Sequence, residues 1–300
     1  MRYFITWFVY CVLVIVTGCG ENIQESTPAL TFGPPQDLKA ISSGESTVML
    51  SWSAAPGADD ASFLGYIVQW GSTRDTVAKT ELSYVADSLA SGVTLFTISS
   101  YQSDGPPSNG ATIRWAPAAR FDAPMVVSEF TLQDPTRLSG FNVGSQSTDP
   151  SPIAMEPIDS AVVNLVDLYL FGGSGQLEAP LALWSAHFFR GDLKQTKFST
   201  FVHSANSLDF PVSSFPDFAS FIKDTVILTD NTIYYARISG DNLDTLYARI
   251  HVRIVPVLNF PNRTIEIRVS LQRVPGVLFA ETIRGRGVNV WKKLSAKNVA

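Results

Sequence analysis

Cysteine is almost missing from this chain. Of its 300 residues only Cys11 and Cys19 are cysteines. Residues 20–300 therefore carry no thiol, which excludes disulfide staples and cysteine metal sites there and leaves hydrophobic cores to supply stability. Charge is sparse as well: Asp, Glu, Lys and Arg make up 16% of the residues, and the formal net charge is −5. A chain of pI near 5.2 lacks the basic face that nucleic-acid binding needs, so no nucleic-acid partner is expected. Catalytic signatures are missing too. There is no G-x-S-x-G, no H-E-x-x-H, no Walker-type loop and no G-x-G-x-x-G. "FGGSGQ" at 171–176 is glycine-rich but lacks the lysine or third glycine of a phosphate loop, and reads as a hairpin turn. Asp241 and Asp244 lack the alternating ligand spacing of a calcium loop and read as a surface turn. Histidine is limited to His187, His203 and His251, and nothing in their spacing makes them converge. The sequence thus assigns no catalytic residue, no metal site and no cofactor.

One long apolar run is present. It follows Arg2, is uncharged from Tyr3 to Gly20, and is most apolar from Phe4 to Val16. That length suits a signal-peptide core better than a membrane span of about 20 residues. The run closes on Val16-Thr17-Gly18-Cys19, which resembles a bacterial lipobox. The resemblance implies a signal peptide over residues 1–18, removed on export, and a lipid on the Cys19 thiolate. It also implies a tether over 19–33, the polar stretch "GENIQESTPALTFG" after the cysteine. Gly20 rather than Asp follows the cysteine, which by the same resemblance implies an outer-membrane lipoprotein, facing the periplasm or the surface.

From Pro34 the pattern is one of short alternating strands. Val48, Leu50 and Trp52 share one face; Leu64, Tyr66, Val68 and Trp70 share the next; Phe96, Ile98 and Ser100, then Ala111, Ile113 and Trp115, complete the series. "PPQDLKA" at 34–40, "TVMLSW" at 47–52, "GYIVQWG" at 65–71 and "SSYQSDGPPS" at 99–108 resemble a fibronectin type III domain over about 33–118. The resemblance implies a two-sheet sandwich with Trp52 and Tyr66 in its core. The chain departs from the family at the tyrosine corner, which falls near Thr94 or Leu95. Such a domain is a spacer or binding module, and the fold alone carries no activity.

"WAPAARFDAP" at 115–124 reads as a join between domains. Strand-like runs follow at Met125–Leu132, Ala161–Phe171, Ala182–His187, Lys197–His203, Asp224–Thr229, Thr232–Ile238, Leu246–Val255 and Thr264–Val274, giving a second, larger β-sandwich over 119–280. "FPDFASFIK" at 215–223 reads as a short helix, with Phe215, Phe218 and Phe221 three apart. Residues 142–160, polar and proline-rich, read as a contact loop, and 281–300 as a basic, solvated tail. The expected fold is all-β, with two β-sandwich domains in tandem.

The clearest local structure is the pair of "YARI" strands around "SGDNLDT", a β-hairpin that "TIEIRVSL" extends by a third strand. This hairpin resembles one found in C-terminal domains of bacterial surface lipoproteins, haem scavengers among them; the resemblance implies no residue roles. Parity along "LYARIHVRI" puts Leu246, Ala248, Ile250, Val252 and Ile254 on one face and Arg249, His251 and Arg253 on the other. With the apolar set inward, Arg237, Arg249, His251, Arg253 and Arg268 are expected on an exposed cationic face that an anionic glycan, lipid head group or acidic protein could meet. The expectation is a lipid-anchored, non-catalytic binding, adhesion or envelope-assembly component with a protein or glycan partner. Its competitors are a scavenger of haem or glycan and an accessory subunit of an outer-membrane complex.

Overall fold

Short alternating segments between Gly, Pro, Ser and Asp turns build the first half of the structure. The computed structural model describes residues 32–131, 134, 136–155, 161–172, 179–239, 245–256 and 263–279. The lipobox with Cys19, most of the tether, Asp241 and Asp244, most of the 171–176 turn and the basic tail lie outside the described residues.

Seven strands come first: β1 (Gln36–Gly44), β2 (Thr47–Ser53), β3 (Phe63–Trp70), β4 (Thr73–Ala78), β5 (Ser83–Ala86), β6 (Thr94–Gln102) and β7 (Ala111–Trp115). They form a three-stranded sheet ordered β1-β2-β5 and a four-stranded sheet ordered β4-β3-β6-β7. Val48, Leu50 and Trp52 of the first sheet meet Tyr66, Val68, Phe96, Ile98 and Ile113 of the second in one core. Trp52 and Tyr66 are both buried, with rings 5.4 Å apart and edge to face. The Tyr66 hydroxyl accepts the Ala55 amide at 3.2 Å.

One parity expectation fails here. Leu64 is exposed and Phe63 is buried in its place. The β3–β6 register slips between Phe63 and Gly65, so a bulge turns Leu64 outward. Gly65 is what permits it: φ is +152°, and a Cβ there would stand 2.1 Å from the Val77 carbonyl oxygen.

The second half begins with β8 (Ala119–Ser128), β9 (Gly140–Asn142), β10 (Ser151–Ile153), β11 (Leu168–Phe171) and β12 (Ala182–Ser185). It continues with β13 (Gln195–Ser204), β14 (Phe221–Lys223), β15 (Thr225–Ile227), β16 (Thr232–Ser239), β17 (Leu246–Val255) and β18 (Thr264–Gln272). A six-stranded sheet ordered β14-β13-β16-β17-β18-β8 packs on a five-stranded sheet ordered β10-β9-β11-β12-β15. Between them lie Leu246, Ala248, Ile250 and Val252 of β17 and Ile265, Ile267, Val269 and Leu271 of β18, together with Phe141, Leu168, Leu170 and Leu183 of the facing sheet. The chain is therefore all-β, two sandwiches in sequence, with only three short 3₁₀ turns among the described residues.

Several local expectations are corrected. The join at 115–124 is mostly strand: β8 pairs with β18, and its register breaks between Phe121 and Met125, so Pro124 sits in a bulge of an edge strand, where no ladder amide is required of it. The loop at 142–160 contains β10, paired with β9 through Pro152 and Phe141. The run Ala161–Phe171 opens with a 3₁₀ turn at Val163–Leu165 and is strand only from Leu168. "FPDFASFIK" is a 3₁₀ turn at Phe218–Ser220 running into β14, because its phenylalanines separate: Phe215 and Phe221 go inward and Phe218 outward.

The two sandwiches share a core. Trp115 meets Phe279 at 6.3 Å; Phe279 stacks on Phe215 at 4.9 Å; Phe215 meets Tyr235 of β16 edge to face at 5.0 Å. Trp52, Tyr66 and Phe96 thus belong to the same continuous apolar cluster as Ile233, Tyr235 and Tyr247. The six-stranded sheet is in consequence buried on both faces.

Candidate functional site: the covered arginine face

The register confirms the parity derived from "LYARIHVRI". Tyr235 pairs with Arg249, Ile233 with His251 and Arg237 with Tyr247, while His251 pairs with Arg268 and Arg253 with Glu266. Arg237, Arg249, His251, Arg253 and Arg268 do share one face of the six-stranded sheet. The expected exposure is wrong for its centre. Arg249 is 1% exposed and His251 is 0% exposed. The reason is a cover: the chain leaving β13 crosses this face between Ala205 and Phe215 before it reaches β14, and Phe279 closes the end towards the first sandwich.

The cover is bonded to the face it hides. His251 Nε2 donates to the Ala205 carbonyl at 2.9 Å, since a carbonyl can only accept. Arg249 Nη2 donates to the Phe210 carbonyl at 2.7 Å. Arg120 of β8, across Ser270 from Arg249, pairs with Asp209 at 2.6 Å and with Asp122 at 2.7 Å. Leu208 of the cover is itself buried. Tyr235, paired across the strands with Arg249, places its hydroxyl 2.7 Å from His203 Nδ1. His203 sits between Phe201, with ring centroids 4.7 Å apart, and Phe210, at 5.2 Å.

The electrostatics are those of a desolvated cationic patch. Burial pulls Arg249 below the ordinary guanidinium range, against the pull of Tyr235 and Asp209. Burial lowers His203, and Arg249 lowers it further. Burial also lowers His251; the Ala205 carbonyl, Asp230 and Glu266 work the other way, and Arg268 adds to the lowering. Among the described residues Arg249 Nε, His251 Nδ1 and Ser270 Oγ are buried without a hydrogen-bond partner.

The rim behaves differently. Arg253 is 54% exposed at its side chain and reaches Glu266 at 3.5 Å. Arg268 reaches Glu266 at 3.6 Å and donates to the Asp122 carbonyl at 3.1 Å. Arg237 lies over the Phe218 ring at 4.4 Å. The residues that complete the face, Arg120, His203, Tyr235, Ser270 and the segment from Ala205 to Val212, were not marked by sequence pattern. Arg120 sits in a stretch that reads as a join, and "SANSLDFP" reads as an ordinary loop.

No protein-family model matches the chain, and no curated protein matches it. Among solved structures it is similar to one described as "Titin kinase and its flanking domains", at 10% identity and a TM-score of 0.23. That likeness covers 83% of this chain and 38% of the other.

Proposed function

We propose that this chain is a lipid-anchored extracytoplasmic binding module, in which a fibronectin type III-like sandwich carries a larger sandwich that meets a protein partner. The location rests on the apolar run ending in Val16-Thr17-Gly18-Cys19. The family reading of the first sandwich is supported by its three-on-four strand order and by the Trp52–Tyr66 pair in its core.

The observation that carries the binding role is an apolar set on the outer side of the five-stranded sheet. Trp184 and Phe171 stand 5.9 Å apart, Phe188 packs 5.6 Å from Trp184 and is 55% exposed, and Ile227 on edge strand β15 is 65% exposed. Phe171 and Trp184 are part-buried on a small cluster of this side, while Phe188 and Ile227 stand out from it into solvent, and aromatic residues are enriched where proteins meet. The cationic face does not serve this role in the closed structure, because its centre is covered.

Two experiments test the reading. In an envelope-bearing host, mature protein should begin at Cys19 and take up labelled fatty acid, and Cys19→Ser should release it from membranes; a membrane-bound product that keeps residues 1–18 overturns the anchor. Photo-crosslinking from the outer side of β12 and β15 in intact cells should give discrete protein adducts that vanish in a Phe188→Asp/Ile227→Asp double variant. Adducts unchanged by that variant overturn the contact surface.

A further inference from the structure

Residues 205–212 grip both sandwiches through hydrogen bonds to the arginine face and to β1. On the six-stranded sheet its polar attachments are His251 to Ala205 at 2.9 Å, Arg249 to Phe210 at 2.7 Å and Arg120 to Asp209 at 2.6 Å. At its far end Val212 exchanges two backbone hydrogen bonds with Ala40 of β1, at 2.9 and 3.1 Å. Two of the three histidines in the chain stand under or beside this segment.

We propose that residues 205–212 form an acid-released clasp: proton uptake by His251 and His203 loosens the segment from the six-stranded sheet and from β1. The inference goes beyond the binding reading above and does not depend on it.

The hydrogen-bond polarity carries the argument. His251 Nε2 holds the proton given to the Ala205 carbonyl, so in the neutral ring Nδ1 is a bare acceptor. Protonation puts a second N–H at Nδ1, an atom that is buried and has no partner among the described residues. It also puts a charge on a side chain of 0% exposure. That charge would face Arg268 across the strand pair and Arg249 two residues along its own strand. Asp230 and Glu266 attract it, but both are engaged: Asp230 accepts the Ile254 amide at 2.7 Å, and Glu266 is shared by Arg253 and Arg268.

At His203, Nδ1 lies 2.7 Å from the Tyr235 hydroxyl, and the ring feels the charge of Arg249. A protonated ring would stand as a second cation near the buried Arg249 guanidinium, whose charge already disfavours it. Phe201 and Phe210, the other neighbours of the ring, offer no acceptor side chain. Opening the segment to water relieves both costs at once.

The direction in pH follows. Burial holds both histidines below their ordinary range, so the open or unfolded chain takes up protons first as pH falls. The clasp is fully held above the ordinary histidine value of about 6.5 and weakens progressively below it. Burial works against the Asp209 charge, but its hydrogen bond to Arg120 and the Arg120 charge hold it below the usual carboxylate range, so Asp209 stays ionised throughout this window.

Backbone hydrogen exchange on the full chain tests the clasp, with rates corrected for the intrinsic effect of pH. Between about pH 7.5 and about pH 5, the amides of Ala205, Val212 and Ala40 should lose protection by about tenfold or more, while those of β17 and β18 keep theirs. A His203→Gln/His251→Gln variant, which keeps side-chain donors but cannot titrate, should lose this pH response. If the parent segment stays equally protected at both values, the clasp is overturned, and the parent measurement alone suffices should the double variant fold poorly. If the folded double variant responds to pH as the parent does, other groups drive the opening and the proposal fails.

Discussion

The two sandwiches solve the same problem with different materials. Among the described residues every buried carboxylate, guanidinium and imidazole (Glu129, Asp167, Arg249 and His251) belongs to the second sandwich. The buried polar groups of the first are hydroxyls and an amide: Ser42, Ser100 and Gln102. In the first sandwich alternation places most of the core, with exceptions at the Leu64 bulge and at Ile41 and Ile67, which are buried on the opposite parity. The second has a sheet with two buried faces, and its outer face must hide whatever the alternation puts there. There the polar set is arginine and histidine, and backbone carbonyls of a crossing segment supply the acceptors that water would otherwise provide. Parity says which residues travel together. It does not say whether anything lies on top of them.

The largest test of this contrast is the shared core. Phe215 comes from the covering segment, stacks on Phe279 and meets Tyr235 and Tyr247 of the sheet. Phe215→Ala should cost about 3–5 kcal/mol, the usual range for a large aromatic removed from a core. Because Trp52 and Tyr235 lie in the same cluster, chemical unfolding followed near Trp52 and near Trp184 should shift together. A shift confined to the second sandwich would show that the two cores are thermodynamically separate.

Next in size is the ion pair within the second sandwich. Arg263 holds Glu129 through Nε at 2.7 Å and Nη2 at 2.5 Å, and also donates to the Ala179 carbonyl at 2.5 Å. Glu129 is buried, so Arg263→Ala leaves a carboxylate without its partner and should cost about 3 kcal/mol. Pairing the substitution with Glu129→Gln should recover part of that loss, because the stranded charge is then gone. A double variant no more stable than the single one would mean that the packing of Arg263, not its charge, matters.

Arg249 follows. Its truncation to Ala removes the donor to the Phe210 carbonyl and leaves that acceptor and a cavity under the cover, and should cost about 2 kcal/mol. The loss should fall on the cover: the Ala205 and Val212 amides should exchange faster, with β1–β7 otherwise unchanged. Uniform loss of protection across both sandwiches would make Arg249 a general core residue instead of an anchor for this segment.

How much of this was legible is clearest in β17. "LYARIHVRI" states its two faces unambiguously, and the β16–β17 and β17–β18 registers keep those faces together. The all-β class and the Trp52–Tyr66 core were equally readable, because each depends on residues within one or two neighbouring strands. What was hidden depends on distance along the chain. The acceptors for Arg249 and His251 lie 39 and 46 positions earlier, in a segment whose composition is that of any turn. The Leu64 bulge was hidden for a different reason: it is imposed by the cross-strand register and by Gly65, and a run of apolar letters does not reveal which member a bulge will eject.

The smallest expected effect comes from the same strand. Arg253 shares its face with Arg249 but lies beyond the cover, with 54% of its side chain exposed and a single long contact to Glu266 at 3.5 Å. An exposed pair of this kind gains little in water, and Glu266 keeps Arg268 at 3.6 Å when Arg253 is gone. Arg253→Ala should therefore change stability by no more than about 0.5 kcal/mol. The two substitutions lie four residues apart and remove the same side chain from the same face of the same strand. If parity alone set their roles, the two losses would be equal; if the cover sets them, the Arg249 loss should exceed the Arg253 loss several-fold. Equal losses measured by urea unfolding would mean that the segment from Ala205 to Val212 does not seal this face in solution.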